Sequence, residues 1–220
     1  MQTLQTEGPR QPPAAGGAPE QLVVLLHGYG ADGNDLIGLA PYLARILPQA
    51  YFVAPHAPEP CEMAPTGYQW FGISRFDPNE RERGAERAAP ILNAFLDREL
   101  QRHGLDESRL CLIGFSQGTM MSLHVGLRRE RPLAGILGFS GMLVAPERLP
   151  QDIRSRPPIL LVHGDADEVL PVEAIFEAAQ GLAAAEVAAE WHISRGIGHG
   201  IAEDGLELAA AFLQRIFKGT

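Results

Sequence analysis

Five consecutive residues carry the clearest chemical signal in this sequence, namely Gly114-Phe115-Ser116-Gln117-Gly118. They follow an apolar run typical of a strand, and a helical pattern begins directly after them. A serine on such a tight strand-to-helix turn is held with its hydroxyl exposed, and the flanking glycines avoid clashes across the turn. The pattern therefore predicts that Ser116 is a nucleophile. It also predicts that the backbone amide of Gln117, at a helix N-terminus, donates to the oxyanion that forms during acyl transfer.

A second serine, Ser140, also follows a strand but is not a comparable candidate. Its segment, Gly138-Phe139-Ser140-Gly141, lacks the second spaced glycine of the pentapeptide. We interpret Ser140 as a turn residue.

A serine hydroxyl needs a base that takes its proton and an acid that orients this base. In proteins with this turn, the order along the chain is serine, then acid, then histidine. Of the seven histidines, His192 and His199 come late enough. His192 falls inside an apparent strand, whereas His199 lies in a glycine-rich loop where it can reach over the carboxyl edge of a sheet. We predict that His199 is the base. The other histidines are expected to be packing or surface residues, and they are His27, His56, His103, His124 and His163.

The acid should follow the preceding strand, where three carboxylates stand close together: Asp165, Asp167 and Glu168. Asp167 lies two residues further into the loop than Asp165 and is better placed to reach His199. Asp165 is better suited to hydrogen-bond the backbone of the turn, as aspartate commonly does. Asp167 is therefore the predicted acid, and Glu168 is the weaker substitute.

A second oxyanion donor should come from the loop after an early strand. The segment His27-Gly28-Tyr29-Gly30 directly follows an apolar run. We predict that the backbone amide of Tyr29 is this donor, because Gly28 and Gly30 let the chain approach a substrate closely. His27 precedes the nucleophile in the chain, so a structural role is expected for it.

These residues need strands and helices to position them, and the sequence predicts both. Continuous apolarity indicates strands that are covered on both faces, whereas alternation would indicate one wet face. Helical patterns separate the strands. One is capped by Asn34 or Asp35 and runs through Leu36, Leu39, Leu43 and Leu47, and others cover about 80–103, the residues after Ser116, those from about Pro171, and 202–217. Strand–helix alternation predicts an α/β fold with a central, mostly parallel sheet and helices on both faces. The predicted strands are Leu22–Leu26, Tyr51–Ala54, Leu110–Ile113, Ile136–Phe139, Ile159–Val162 and Ala188–Ser194.

The chain is organised around one domain, predicted over residues 21–220. Residues 1–20 are expected to form a flexible N-terminal segment, because ten of the twelve residues from 8 to 19 are Gly, Pro or Ala, with at most a short edge strand before them. A long arm inserted at 55–79 holds five prolines and the aromatic residues Tyr68, Trp70, Phe71 and Phe76. Loops of this length in compact domains are more often functional than idle, although a packed surface excursion is the plain alternative.

Composition excludes several classes of function. Eighteen Lys and Arg against 27 Asp and Glu give a formal charge of −9, which argues against a nucleic acid or an anionic membrane as the main partner. The longest apolar run is 208–213, far short of the roughly 20 residues that span a bilayer. Cys61 and Cys111 form no disulfide framework or metal pair, and no secretory signal is evident, so the expected location is the cytoplasm.

Metal and cofactor sites find little support in the sequence. No histidines or cysteines stand at metal-ligand spacing. Gly28, Gly30 and Gly33 match a dinucleotide-binding pattern after a strand, but the nucleophile turn explains the same glycines better. We expect no metal and no cofactor.

Taken together, four motifs resemble the phospholipase/carboxylesterase family, the small α/β-hydrolases that include the acyl-protein thioesterases. The resemblance spans about 22–217 and implies a single-domain α/β-hydrolase fold, a Ser116–Asp167–His199 triad, and oxyanion donors at Tyr29 and Gln117. It also implies that Trp70 and Phe71 lie near an acyl groove, and Leu170 is a further candidate for substrate contact. The motifs are His27-Gly28-Tyr29-Gly30, Gly114-Phe115-Ser116-Gln117-Gly118, His163-Gly164-Asp165-Ala166-Asp167 and Gly198-His199-Gly200.

The expected function is a serine hydrolase acting on small-molecule or lipid-like esters or thioesters, as carboxylesterases, acyl thioesterases and lysophospholipases do. The resemblance also implies a possible homodimer. Two alternatives stay open. One is a hydrolase related to dienelactone hydrolases, against which Ser116 argues because those enzymes carry Cys at the turn. The other is a non-catalytic ligand-binding module, which would usually lack a member of the triad.

Overall fold

All six strands predicted from the apolar runs lie in one sheet. The computed structural model describes residues 6–73 and 78–218. Its seven-stranded sheet has the order β1-β3-β2-β6-β7-β8-β9, and a separate two-stranded sheet pairs β4 with β5. The strands are β1 (Arg10–Gln11), β2 (Gln21–Leu26), β3 (Ala50–Val53), β4 (Glu59–Pro60), β5 (Tyr68–Gln69), β6 (Leu110–Phe115), β7 (Gly135–Phe139), β8 (Ile159–Gly164) and β9 (Ala189–Ser194).

The prediction of a mostly parallel sheet is confirmed. β1 pairs with β3 in the antiparallel sense, and every other pairing in the large sheet is parallel. Strand ends differ from the predicted ones by at most two residues. The largest differences are in β6, which continues to Phe115, and in β8, which continues to Gly164.

Helices cover both faces of the sheet. β2 shows why both faces need cover: Leu22 and Val24 belong to one buried cluster, Val23 and Leu25 to the other, and all four are fully buried. Successive side chains of a strand point to opposite faces, so a continuously apolar strand needs a layer on each side. The helices are α1 (Gly33–Leu36), α2 (Ala40–Leu43), α3 (Pro78–His103), α4 (Gln117–Gly126), α5 (Leu149–Asp152), α6 (Glu173–Ala184) and α7 (Glu203–Phe217).

The two layers differ in their helices. Side chains of α3, α4 and α6 fill the first cluster, and side chains of α1, α2 and α7 fill the second. None of the helices within the described ranges is both long and apolar enough to cross a bilayer.

The predicted helix from Asn34 or Asp35 to Leu47 is wrong in its start and its continuity. Asp32 is the N-cap, because its carboxylate accepts hydrogen bonds from the backbone amides of Asn34 and Asp35. The segment then breaks into α1, a 3-10 turn at Ile37–Leu39 and α2, which has a proline in its first turn.

The N-terminal segment contributes to the sheet, which differs from the expectation that any short strand lies before residue 8. Arg10 and Gln11 form the edge strand β1 opposite Val53 and Phe52. The guanidinium of Arg10 also donates to the buried carboxylate of Glu99 on α3 at 2.5 Å. An unpaired carboxylate would be costly to bury, so this ion pair ties the segment to the domain.

The predicted arm carries its own small hairpin. Glu59 pairs with Gln69 and Pro60 with Tyr68, and the amide of Cys61 donates to the carbonyl of Gly67. Residues 74–77, including Phe76 of the predicted arm, lie outside the described residues.

Candidate active site

Ser116 stands between the last residue of β6 and the first residue of α4, as the pentapeptide predicts. Its backbone has φ 53° and ψ −115°, a conformation that non-glycine residues rarely adopt. Such strain costs roughly 1–3 kcal/mol and clusters at functional sites. The flanking glycines are required on steric grounds: a Cβ at Gly114 would lie 2.4 Å from the Thr119 nitrogen, and one at Gly118 would lie 1.8 Å from the Leu26 oxygen.

His199 and Asp167 come together at the carboxyl edge of the sheet. His199 Nδ1 lies 2.7 Å from Asp167 Oδ2, which fits a hydrogen bond donated by the imidazole to the carboxylate. This bond leaves Nε2 as the ring's acceptor. The His199 ring also packs on Phe115, with ring centroids 5.0 Å apart, so the imidazole lies beside the turn that carries Ser116.

The carboxylate of Asp167 is fully buried and held by several donors. Its Oδ1 accepts hydrogen bonds from the amides of Val169 at 2.8 Å and Leu170 at 2.9 Å. Burial alone would raise the pKa of Asp167, but the hydrogen bonds from Leu170, His199 and Val169 outweigh it and lower the pKa below its usual value. The group is therefore an anion at neutral pH, as an acid that orients a histidine must be.

His163 is a buried member of the same cluster that sequence reasoning placed among the packing residues. Its Nε2 donates to the carbonyl of Leu170 at 2.9 Å and lies 3.3 Å from Asp167 Oδ2. The His163 imidazole thus packs against the Asp167 carboxylate. In the sequence, this contact is indicated by the position of His163 in the motif that ends with Asp167.

The rival acids and histidines occupy different positions. Asp165 accepts a hydrogen bond from the Gly196 amide at 2.6 Å, which is the turn-stabilising role predicted for it. Glu168 is exposed. His192 forms its own pair with Asp204, with Nε2 2.8 Å from Oδ2, on the edge strand β9.

Ser140 is a turn residue, as predicted, with φ 44°. Its hydroxyl additionally donates to the carbonyl of Gly200 at 3.2 Å. Because Gly200 directly follows His199, this bond supports the histidine loop.

The loop after β2 passes directly beside Ser116. A Cβ at Gly28 would lie 3.3 Å from the Cβ of Ser116, so a side chain there would crowd the nucleophile. Gly30 has φ 79°, and its amide donates to the carbonyl of Tyr68 at 2.9 Å. The arm therefore holds this loop, with Tyr29 at its centre, against the site.

The contacts of the His27 and Tyr29 side chains indicate structural roles. His27 Nε2 accepts from the Ala57 amide at 2.9 Å and Nδ1 donates to the Gly28 carbonyl at 2.8 Å, and burial lowers its pKa, so the ring stays neutral. Burial and a hydrogen bond with Cys61 raise the pKa of Tyr29 to about 12, which keeps the phenol neutral as well.

Gln117 has a second set of contacts that its sequence position did not reveal. Its fully buried side chain accepts from the Trp70 amide at 2.9 Å and donates to the Phe71 carbonyl at 2.7 Å. The Trp70 indole in turn donates to the carbonyl of His27 at 3.1 Å. The arm thus connects the residue after Ser116 with the loop that carries Tyr29.

The three residues expected to contact substrate differ in exposure. Trp70 and Phe71 are each 1% exposed and pack in the cluster between the sheet and α3, so both side chains lie beneath the surface of the site. Leu170 is partly buried, and its backbone supports both Asp167 and His163.

Three features together define an α/β-hydrolase. They are a mostly parallel sheet with helices on both faces, a serine on the turn after a central strand, and an acid and a histidine after the last two strands. The sequence model of the phospholipase/carboxylesterase family matches residues 13–217, and the chain belongs to this family.

Individual relatives agree with this family. The chain is 30% identical over 210 residues to acyl-protein thioesterase 1 of Saccharomyces cerevisiae, covering 89% of this chain and 92% of the relative. It is 27% identical over 210 residues to acyl-protein thioesterase 1 of Gibberella zeae, covering 88% and 89%. The crystal structure of esterase PE8 superimposes with a TM-score of 0.93 at 47% identity, covering 97% of this chain and all of that chain. The chain is therefore a hydrolase of carboxylic esters or thioesters.

Proposed function

We propose that the chain is a serine carboxylesterase or thioesterase in which Ser116, His199 and Asp167 act as a triad. The observation that carries the proposal is the 2.7 Å contact between His199 Nδ1 and Asp167 Oδ2 beside the nucleophile turn. Asp167 holds the imidazole in the tautomer whose Nε2 can take a proton, which is the role of the acid in such triads.

The reaction proceeds through an acyl-enzyme. Ser116 Oγ attacks the carbonyl carbon while His199 Nε2 takes its proton, and the backbone amides of Tyr29 and Gln117 donate to the oxyanion. The bond to the alcohol or thiol then breaks, and the proton passes from His199 to the leaving atom. Water then attacks the acyl carbon while His199 takes its proton, and this proton passes to Ser116 Oγ as the acyl–oxygen bond breaks and the acid leaves.

The substrate is proposed to be a small-molecule or lipid-like ester or thioester of medium to long acyl length. The curated relatives are acyl-protein thioesterases, and the structural neighbour at 47% identity is an esterase. The apolar arm around Trp70 and Phe71, together with Leu170, would shape an acyl groove. A second copy of the chain is the proposed partner, because Met63 and Val169 are exposed to 82% and 62% on the arm and the acid loop. The cytoplasm is the proposed location, which suits two free cysteines.

The two alternatives make different predictions. A dienelactone hydrolase relative would carry Cys at position 116, where this chain has Ser. A non-catalytic binding module would bind a fluorophosphonate probe in competition with acyl ligands but turn over no ester.

Hydrolysis of p-nitrophenyl esters from acetate to palmitate, beside the matching acyl-CoA thioesters, tests the proposal. Ser116→Ala should lower kcat by orders of magnitude while the protein stays folded. A maximum at medium or long chains supports an acyl groove along the arm, and activity on short esters alone keeps the mechanism but discards the lipid-like substrate. Turnover by Ser116→Ala at the wild-type rate would rule out the mechanism.

A further inference from the structure

A cavity of about 230 Å³ lies on the histidine side of the nucleophile. Phe115 and Gly200 line it, and these residues are the chain neighbours of Ser116 and His199. The Phe115 ring forms the common wall, because it also packs on the His199 imidazole at 5.0 Å between centroids. The cavity therefore adjoins the two chain segments that carry the proposed catalytic side chains, and the Phe115 ring connects it to the His199 imidazole.

The remaining walls of this cavity are mostly apolar. Leu36 and Leu39 contribute from α1 and the 3-10 turn after it, and Ile201 contributes from the histidine loop. Leu39, Phe115 and Ile201 are only partly buried, although each packs on the core cluster beneath. Partly exposed apolar side chains that converge on a concave site next to polar catalytic groups are typical of a ligand pocket.

The chemistry of acyl transfer indicates which part of the substrate occupies this cavity. When the carbonyl–oxygen or carbonyl–sulfur bond breaks, the electron pair stays on the leaving atom, which receives the proton that His199 took from Ser116. The leaving atom must lie within hydrogen-bond reach of the imidazole, about 2.6–3.2 Å. The alcohol or thiol portion therefore extends to the histidine side, and the acyl portion extends elsewhere.

We infer that the cavity formed by Leu36, Leu39, Phe115 and Ile201 is the leaving-group subsite and that it takes an apolar alcohol or thiol that is neutral or cationic. This inference rests on the proposed function. Its charge preference comes from Asp35, the one ionisable side chain among the described residues that line the cavity, and this side chain is exposed. With a formal charge of −9 on the chain, a polyanionic carrier such as coenzyme A is disfavoured.

The charge preference is tested with butyrate esters of three phenols that share one ring: unsubstituted phenol, a trimethylammonio-phenol and a carboxy-phenol. The common acyl group makes deacylation identical, and rates are divided by those of hydroxide hydrolysis to remove differences in intrinsic reactivity. We expect kcat/KM to favour the cationic over the anionic ester by roughly tenfold, an advantage that Asp35→Asn removes and Asp35→Lys reverses. Equal kcat/KM values for the three esters would overturn the charge preference.

The location is tested by filling the cavity from Gly38, which lines it in the 3-10 turn. A Cβ at Gly38 meets no atom within 4 Å, so a substitution there introduces no clash at the Cβ. Gly38→Phe should lower the ratio of kcat/KM for naphthyl butyrate to kcat/KM for ethyl butyrate about tenfold, without shifting the acyl-length optimum of ethyl esters. Gly38→Ala adds only a Cβ to the same backbone position and should lower this ratio much less than Gly38→Phe.

The possible outcomes separate this inference from the proposed function. A shifted acyl-length optimum in Gly38→Phe would show that the cavity holds the acyl chain, and an equal loss on ethyl and naphthyl esters would show a general structural effect. Either result overturns the leaving-group subsite while Ser116-dependent hydrolysis remains. Absence of any hydrolysis by the wild-type protein instead overturns the proposed function and the subsite with it.

Discussion

Gln117 is joined to Trp70 by a hydrogen bond of 2.9 Å between residues that lie 47 positions apart in the chain. Its side-chain amide simultaneously donates to the Phe71 carbonyl, and the Trp70 indole donates to the carbonyl of His27. Gln117 and Tyr29 are the proposed sources of the two oxyanion donors. The arm therefore holds both donors in one hydrogen-bonded frame, and their separation depends on this frame.

The first prediction concerns this frame. Gln117→Leu keeps the backbone amide but removes both side-chain bonds, so the two donors should lose their alignment. Because misplacement by about 1 Å can cost 100-fold, we expect kcat to fall roughly 10- to 100-fold with little change in KM. Affinity for a boronic acid that forms a tetrahedral adduct with Ser116 should fall in parallel, whereas affinity for a product carboxylate should not.

The control for this experiment is Gln69→Leu, because among the described residues the hydrogen bonds of the Gln69 side chain go to Glu59 and Glu62 within the arm. We expect its kcat to stay close to wild type. If Gln117→Leu weakened both ligands equally, the side chain would have a purely structural role.

A second prediction compares the two histidine–carboxylate pairs, which have similar hydrogen-bond lengths of 2.7 and 2.8 Å. Asp167→Asn should lower kcat by roughly 1,000- to 10,000-fold, because the amide favours the wrong imidazole tautomer. Asp204→Asn alters the His192 pair in the same way and should leave kcat unchanged. Esterase assays of both variants decide the matter, and a comparable loss in Asp204→Asn would contradict the assignment of His199.

A third prediction concerns stability against pH. Burial and the charge of Arg128 lower the pKa of His124 from 6.5 to about 4. Between these values the unfolded chain binds a proton there that the folded protein does not, so stability falls as the pH drops from 6.5 towards 4.

Comparison of wild type with His124→Leu isolates this contribution. From pH 7 to pH 5, the free energy of unfolding should fall by about 2 kcal/mol more in wild type than in the variant. Urea denaturation at the two pH values measures the difference. Since His124 Nδ1 is buried with no hydrogen-bond partner among the described residues, the leucine variant loses no hydrogen bond at this atom. Parallel pH profiles for the two proteins would contradict the prediction.

A fourth prediction concerns the buried carboxylate of Glu99, whose side chain is 1% exposed. Arg10→Met should destabilise the protein by roughly 1–3 kcal/mol, because the buried carboxylate loses its hydrogen bond from Arg10 while Arg102 and His103 remain 3.8 Å from it. The double variant Arg10→Met/Glu99→Leu should recover most of this loss, since neither charge then remains. Thermal denaturation of the two variants and wild type tests this, and a double variant less stable than Arg10→Met would contradict the prediction, because Glu99 would then stabilise the fold without Arg10.

Local rules account for the parts that could be predicted from the sequence. A serine between two glycines after an apolar run allows few backbone shapes, so Ser116 is located by sterics alone. Continuous apolarity identified β2, β6 and β8, because a strand covered on both faces has no polar side. The positions of the histidine and the acid can be predicted because the loops that follow parallel strands all lie at one edge of the sheet.

The errors arose where local signals compete. Asn34, Asp35 and Asp32 are all acceptable N-caps, and the choice depends on which side chain meets the free amides. The glycine- and proline-rich composition of residues 8–19 concealed the edge strand at Arg10–Gln11, because its stability comes from β3 and Glu99 rather than from its own residues.

The sequence by itself determined the nucleophile turn, the candidate base and acid, and the α/β class, because each depends on neighbours in the chain or on a repeating period. Only the tertiary structure decided that Gln117 bonds to the arm, that Trp70 is buried, that His163 packs against Asp167 and that a cavity adjoins the loop that carries His199. These features join residues on different elements, and their distances follow from how sheet, helices and arm pack, which no local pattern encodes.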